Sequence, residues 1–175
     1  MHSYLQSPSA FKIFAHRGLT SDAGKIVRDE NTIPAFEAAL AAGADYLELD
    51  VQSSSDGIAV VFHDDTLDRV SPHQGRVSDK SWLALQKIVL NHGGITPSVE
   101  QVLKAFPSSK INIDVKAVAA ISDLARVIQS NNAQERVLLT SFSENRRIQA
   151  VTAVPGVATS PSASLLLRIW FSHKF

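Results

Sequence analysis

The stretch AFEAALAAGADYLELDVQ, Ala35 to Gln52, decides the fold. Its first half is an alanine-rich run of strong helix formers that stops at Gly43, a residue type suited to ending a helix. Its second half alternates, with Leu47, Leu49 and Val51 on one face of an extended strand and Tyr46, Glu48, Asp50 and Gln52 on the other. A helix leading straight into a strand is the unit of a parallel α/β sheet, and the same unit recurs outward from here. Upstream, FKIFAHR (11–17) reads as a strand and LTSDAGKIVRD (19–29) as a polar loop. The helix over 30–43 then has Asn31 or Thr32 near its N-cap and Pro34 in its first turn. Downstream, the turn signal SSSDG (53–57) leads into a third strand, IAVVFHD (58–64), so this pair departs from the simple repeat.

A loop through Pro72, Gly75 and Gly93 carries a short helix, SWLALQKI (81–88), and SVEQVLKAF (98–106) supplies another. KINIDVK (110–116), AISDLARVIQSNN (120–132), RVLLTSF (136–142) and SENRRIQAVTAV (143–154) follow as strand, helix, strand, helix. GVATS (156–160) reads as a sixth strand. SASLLLRIWFSHKF (162–175) reads as a final helix with an apolar stripe of Leu165, Leu166, Ile169 and Trp170.

The 175 residues suit one domain with a real core, and 45% apolar against 19% charged residues describes a globular chain. Seventeen basic residues balance seventeen acidic ones, which argues against recruitment of nucleic acid or of an anionic membrane surface. With no cysteine, thiolate nucleophiles and thiolate metal sites are excluded and a reducing compartment fits. The N-terminus has no leader pattern and no run approaches the ~18 apolar residues of a membrane span. A cytoplasmic protein without stable membrane insertion is expected.

Glu48 and Asp50 point the same way from a strand of a kind usually buried on both faces, where an unpaired carboxylate is very costly. A metal ion or a cationic partner would relieve that cost, as would a solvated edge or a salt-bridged pair. KINIDVK repeats the pattern, with Asn112, Asp114 and Lys116 opposite Ile111, Ile113 and Val115. His16 ends one strand and His63 another. Either histidine alone reads as a hydrogen-bonded strand-end residue, but two polar stripes and two strand-end histidines together point to an active site, because strand ends are where α/β folds gather ligands. Arg17 could pair with a carboxylate or grip phosphate oxygens with its fork. The remaining histidines have no such surroundings, and no nucleotide-binding glycine signature follows a strand.

The ordered motifs HRG (16–18), ENT (30–32), AFEAALAAGADYLELDVQ, VVFHDDTLDR (60–69), INIDVK (111–116) and LLTSFS (138–143) resemble the glycerophosphodiester phosphodiesterases. The resemblance implies a TIM (β/α)8 barrel of the phospholipase-C-like phosphodiesterase type, with its active site at the C-terminal ends of the strands. It implies that His16 and His63 form a catalytic pair and that Arg17 and Lys116 serve the phosphate. Glu30 and Asn31 would line the site near the first histidine, and Glu48, Asp50 and Asp114 would ligate a divalent metal, Mg²⁺ or Ca²⁺. The implied reaction is metal-dependent hydrolysis of a small-molecule glycerophosphodiester to glycerol 3-phosphate and an alcohol, the attacker being the substrate's own hydroxyl. The alternatives are a phosphodiesterase of the lysophospholipase D type and a catalytically silent binding module.

The sequence departs from the family pattern in places. Asp29 stands where proline is usual, Val70-Ser71-Pro72 replaces a threonine pair after Arg69, and Asp114 is one methylene shorter than the usual glutamate. A closed eight-unit barrel usually needs at least ~200 residues. Residues 1–175 are therefore expected to form a single domain, a barrel incomplete on its C-terminal side after about six strands. Its open edges would favour a homo-oligomer.

Overall fold

Alternating bulky and polar side chains settle into one sheet whose two faces do different work. The computed structural model of the chain describes residues 2–6 and 11–162, with Leu165 and Trp170. From the N-terminus the elements are β1 (Phe14–His16), β2 (Ser21–Asp22), β3 (Lys25–Ile26), α1 (Ile33–Ala41), β4 (Tyr46–Ser53) and β5 (Ala59–Val61). There follow α2 (Trp82–Leu85), α3 (Val99–Ala105), β6 (Lys110–Val115), α4 (Ile121–Ser130), β7 (Val137–Thr140), α5 (Glu144–Ala153) and β8 (Ala158–Thr159).

Five strands run parallel in the order β1-β4-β6-β7-β8, and β5 joins as an antiparallel partner of β4. Because Val51 pairs with Val61 on one side and Val115 on the other, β5 continues the edge that β1 begins. This makes the six-stranded sheet that the sequence pattern predicts. The apolar face of β4, β6 and β7 (Leu47, Leu49, Val51, Ile111, Ile113, Val115, Val137, Leu139) is fully buried with Phe36 of α1, Val102 and Leu103 of α3, and Leu124, Val127 and Ile128 of α4. Phe36 and Phe106 meet edge to face at 6.2 Å.

The opposite face is polar toward the strands' C-terminal ends and aromatic at its base. There Tyr46 stacks on Phe14 at 4.4 Å, leans on Tyr4 at 5.1 Å and packs with Leu138 and Ala158. A third cluster (Val60, Phe62, Leu67, Val77, Leu85, Ile88, Leu90) gathers under the long excursion between β5 and α3.

Two details correct the sequence reading. The polar loop over 19–29 holds an antiparallel hairpin, β2 with β3, whose two-residue strands are too short to display a period. The first strand is three residues long rather than seven. The final helix and its stripe lie outside the described residues, apart from helical Leu165 and Trp170. Among the described residues no helix is long and apolar enough to cross a membrane.

Gly18 marks where β1 must meet α1. Its φ is +84°, and a Cβ there would lie 2.7 Å from the backbone carbon of Ala35. We expect Gly18→Ala to lower stability in urea unfolding by about 2 kcal/mol or more, from left-handed strain plus a backbone clash. Gly57→Ala has a similar φ of +80° and open space around the Cβ, so it should cost only about 1 kcal/mol.

Candidate active site

β1, β4 and β6 are in register such that His16 lies beside Glu48 and Glu48 beside Asn112, while one row nearer the mouth Asp50 lies beside Asp114 and Asp114 beside Thr140. Side-chain period two sends all of these into the polar face. β4 runs on past this level to Ser53, and β5 doubles back along it. The Phe62 N–H then donates to the Asp50 carbonyl at 2.9 Å. The antiparallel return therefore sets His63 down at the same mouth.

The result is a cavity of about 460 Å³ lined by Phe14, His16, Arg17, Glu48, Asp50, His63, Asn112, Asp114, Lys116, Thr140 and Phe142. Seven of the nine residues singled out in the sequence line this cavity. The other two support it from behind: Asn31 exchanges hydrogen bonds with Asp50 (Nδ2 to Oδ2, 3.0 Å; Asp50 N–H to Oδ1, 3.3 Å). Glu30 accepts from Arg17 at 3.1 Å and forms a bidentate pair with Arg69.

Asp50 is 1% exposed, and an ion so placed costs several kcal/mol unless compensated. Arg17 Nε lies 3.0 Å from Oδ2 and Lys116 Nζ 3.0 Å from Oδ1. Lys116 also donates to Asp114 Oδ2 at 2.6 Å. Burial alone would depress the Lys116 ammonium, but these carboxylates outweigh it and raise its pKa. Burial raises the Asp114 carboxyl, with Lys116 countering only in part. Glu48 is pushed up to about 7 by burial and then by the Asp50 charge, despite the Arg17 N–H that Oε2 accepts at 3.1 Å. Arg17 and Asn31 themselves sit at left-handed φ, +57° and +58°. Such values are sparse for non-glycine residues and gather at functional sites.

The donor chemistry suits a hard divalent cation. Carboxylate oxygens dominate, Glu48 carries more negative neighbours than positive ones, and Asp114 Oδ1 and Asn112 Oδ1 are buried without hydrogen-bond partners. The side chains are not drawn together around a cation, since among the described residues no group of three His, Asp or Glu is arranged to hold one. Lys116 and Arg17 engage Asp50 instead.

The glycerophosphoryl diester phosphodiesterase family matches residues 16–162. The chain belongs to that family. It is 36% identical over 160 residues to the "Probable glycerophosphodiester phosphodiesterase 2" of Mycobacterium tuberculosis, covering 91% of this chain and 59% of that protein. It is also 36% identical over 146 residues to the glycerophosphodiester phosphodiesterase of Bacillus altitudinis, covering 75% of this chain and 58% of that one. The chain thus spans a little under three-fifths of these relatives' length. The crystal structure of glycerophosphodiester phosphodiesterase from Agrobacterium tumefaciens str. C58 is similar with a TM-score of 0.78 at 28% identity, over 88% of this chain and 66% of that one. The parallel α/β sheet is accordingly that of the glycerophosphodiester phosphodiesterase TIM barrels.

Three residues of this family member go unassigned by sequence reasoning. Asp64 accepts from Arg69 Nε at 2.6 Å and meets His63 Nδ1 at 2.5 Å. Asp29, in the place of the usual proline, accepts from the His92 and Gly94 N–H groups, both at 2.9 Å. It ties the loop before α1 to the loop before α3. The clue for Asp64 and Arg69 was their presence in the matched motif after His63.

Glu48 has a folded-state pKa above its unfolded value, so between pH 4.5 and about 7 the folded protein holds the extra proton and stability falls as pH rises through that window. We expect Glu48→Gln in chelated protein to be more stable than wild type at pH 8, by about 1 to 3 kcal/mol, with the difference vanishing near pH 4.5. Urea unfolding at the two pH values measures this.

Proposed function

We propose that the chain carries the catalytic site of a metal-dependent glycerophosphodiester phosphodiesterase, which adds water across the phosphodiester to give glycerol 3-phosphate and an alcohol. The observation that carries this reading is the convergence of two imidazoles, two cations and three carboxylates on one cavity. The names of the relatives support the substrate class.

In this reading Arg17 and Lys116 orient the phosphate, Arg17 through a fork held on one side by Glu30 and by Asp50. Glu48 and Asp114, with Asp50 beside them, would hold Mg²⁺ or Ca²⁺. That ion's chemistry, when bound, is neutralisation of charge on a phosphoryl oxygen. His16 and His63 flank the same cavity from β1 and from the turn after β5. One imidazole takes the proton of the attacking glycerol hydroxyl and the other gives a proton to the departing alkoxide, leaving a cyclic phosphate. Water then opens that ring, with one imidazole taking its proton and the other returning one to the glycerol oxygen, to give glycerol 3-phosphate. Phe14 and Phe142 supply apolar wall.

Release of glycerol 3-phosphate from a glycerophosphodiester tests the reading. His16→Ala and His63→Ala should each lower kcat by about 10²- to 10⁴-fold. A chelator should abolish turnover and added Mg²⁺ or Ca²⁺ restore it. Turnover indifferent to chelator and to His16→Ala would defeat the mechanism.

A further inference from the structure

Arg69 has no place in the chemistry above, yet its guanidinium makes three charge-assisted hydrogen bonds to two carboxylates. Its Nε donates to Asp64 Oδ2 at 2.6 Å, and its two terminal nitrogens donate to Glu30 Oε2 at 2.9 Å and Oε1 at 2.6 Å. Asp64 in turn presents Oδ1 to His63 Nδ1 at 2.5 Å, and Glu30 Oε1 also accepts from Arg17 at 3.1 Å. One guanidinium therefore joins the turn carrying His63 to the loop before α1 and, through Glu30, to the arginine next to His16.

The arm that presents Arg69 is itself fixed. Leu67, two residues upstream, is fully buried in the small cluster under this excursion. The Val70 and Ser71 N–H groups return to the Leu67 carbonyl at 3.3 and 3.0 Å, and Asn91 Nδ2 donates to the Arg69 carbonyl at 3.2 Å. A bidentate fork presented from such a base sets direction as well as charge. The pair it directs is a local one: Asp64 is adjacent to His63, and its carboxylate, 24% exposed, would otherwise be free to turn to water. Burial would raise the Asp64 carboxyl, yet its bonds to Arg69 and His63 lower it overall, so it stays a charged acceptor. With Nδ1 engaged, Nε2 is the His63 nitrogen left for a reacting group. The tautomer and ring direction then follow from the hydrogen bond that the other nitrogen makes.

We infer that Arg69 is a positioning residue for His63, acting through Asp64 and braced by Glu30. This deepens the proposed phosphodiesterase reading and rests on it. Arg69 is not one of the residues lining the cavity, and Glu30 keeps its own bond to Arg17 without it, so loss of Arg69 should act chiefly on the chemical step and change substrate binding little.

The test uses the full chain, with its histidines ¹⁵N-labelled, as wild type, Arg69→Gln and Arg69→Lys. Thermal unfolding first establishes that the variants are folded. In wild type the His63 Nδ1 proton should give a strongly hydrogen-bonded, downfield NMR signal. In both variants it should move upfield or disappear, because neither glutamine nor lysine reproduces the fork. With a glycerophosphodiester substrate, kcat should fall about 10- to 100-fold, the scale of a misplaced catalytic group, with KM within about threefold. A folded variant with the wild-type His63 signal overturns the inference, whatever its activity. If the wild-type chain releases no glycerol 3-phosphate, the enzymatic reading falls, while the His63 signal in the same samples still decides whether Arg69 positions the ring.

Discussion

The site is organised around one buried charge. Asp50 sits in the middle of β4 with almost no solvent, and a carboxylate there is tolerable only while Arg17, Lys116 and Asn31 converge on it. Those three come from the end of β1, the end of β6 and the approach to α1. Satisfying one anion thus fixes the relative positions of three chain segments. The left-handed backbone at Arg17 and Asn31 belongs to the same requirement, since each residue turns sharply to aim its side chain back at β4.

This arrangement stores positive charge next to negative charge without cancelling either completely. Asp50 absorbs much of the attraction of Arg17 and Lys116, whereas Glu48 is left with its proton affinity raised and Asp114 with one oxygen unmatched. A cavity so charged offers both signs to a ligand, which is what the proposed reading asks of a site that takes a phosphodiester together with a cation. Preorganised charges of this kind need little rearrangement when charge develops on a reacting group.

Much of this was legible in the sequence, because strand alternation is a strong signal where one face is wholly apolar. The partition of Leu47, Leu49 and Val51 from Glu48 and Asp50 carried over intact, as did that of Ile111, Ile113 and Val115 from Asn112, Asp114 and Lys116. The bland reading of the stripe, a solvated edge face, fails because β4 is central, flanked by β1 and β6. Its other bland reading, a salt-bridged pair, was half right: Asp50 is salt-bridged, but to cations from other strands. What the sequence concealed were contacts between loops. Arg69 meets Glu30 across 39 positions and Asp29 meets Gly94 across 65, and no periodicity announces pairings of that kind. The β2–β3 hairpin escaped for the opposite reason, being too brief to repeat.

The small cluster formed by Val60, Phe62, Leu67, Val77, Leu85, Ile88 and Leu90 has an evolutionary consequence. Packing decisions in the excursion between β5 and α3 are settled among its own members, so substitutions or insertions there need not disturb the layer between sheet and helices. A lineage could vary the apolar packing at Val77, Leu85, Ile88 or Leu90 without altering the layer on which β4 and β6 rest.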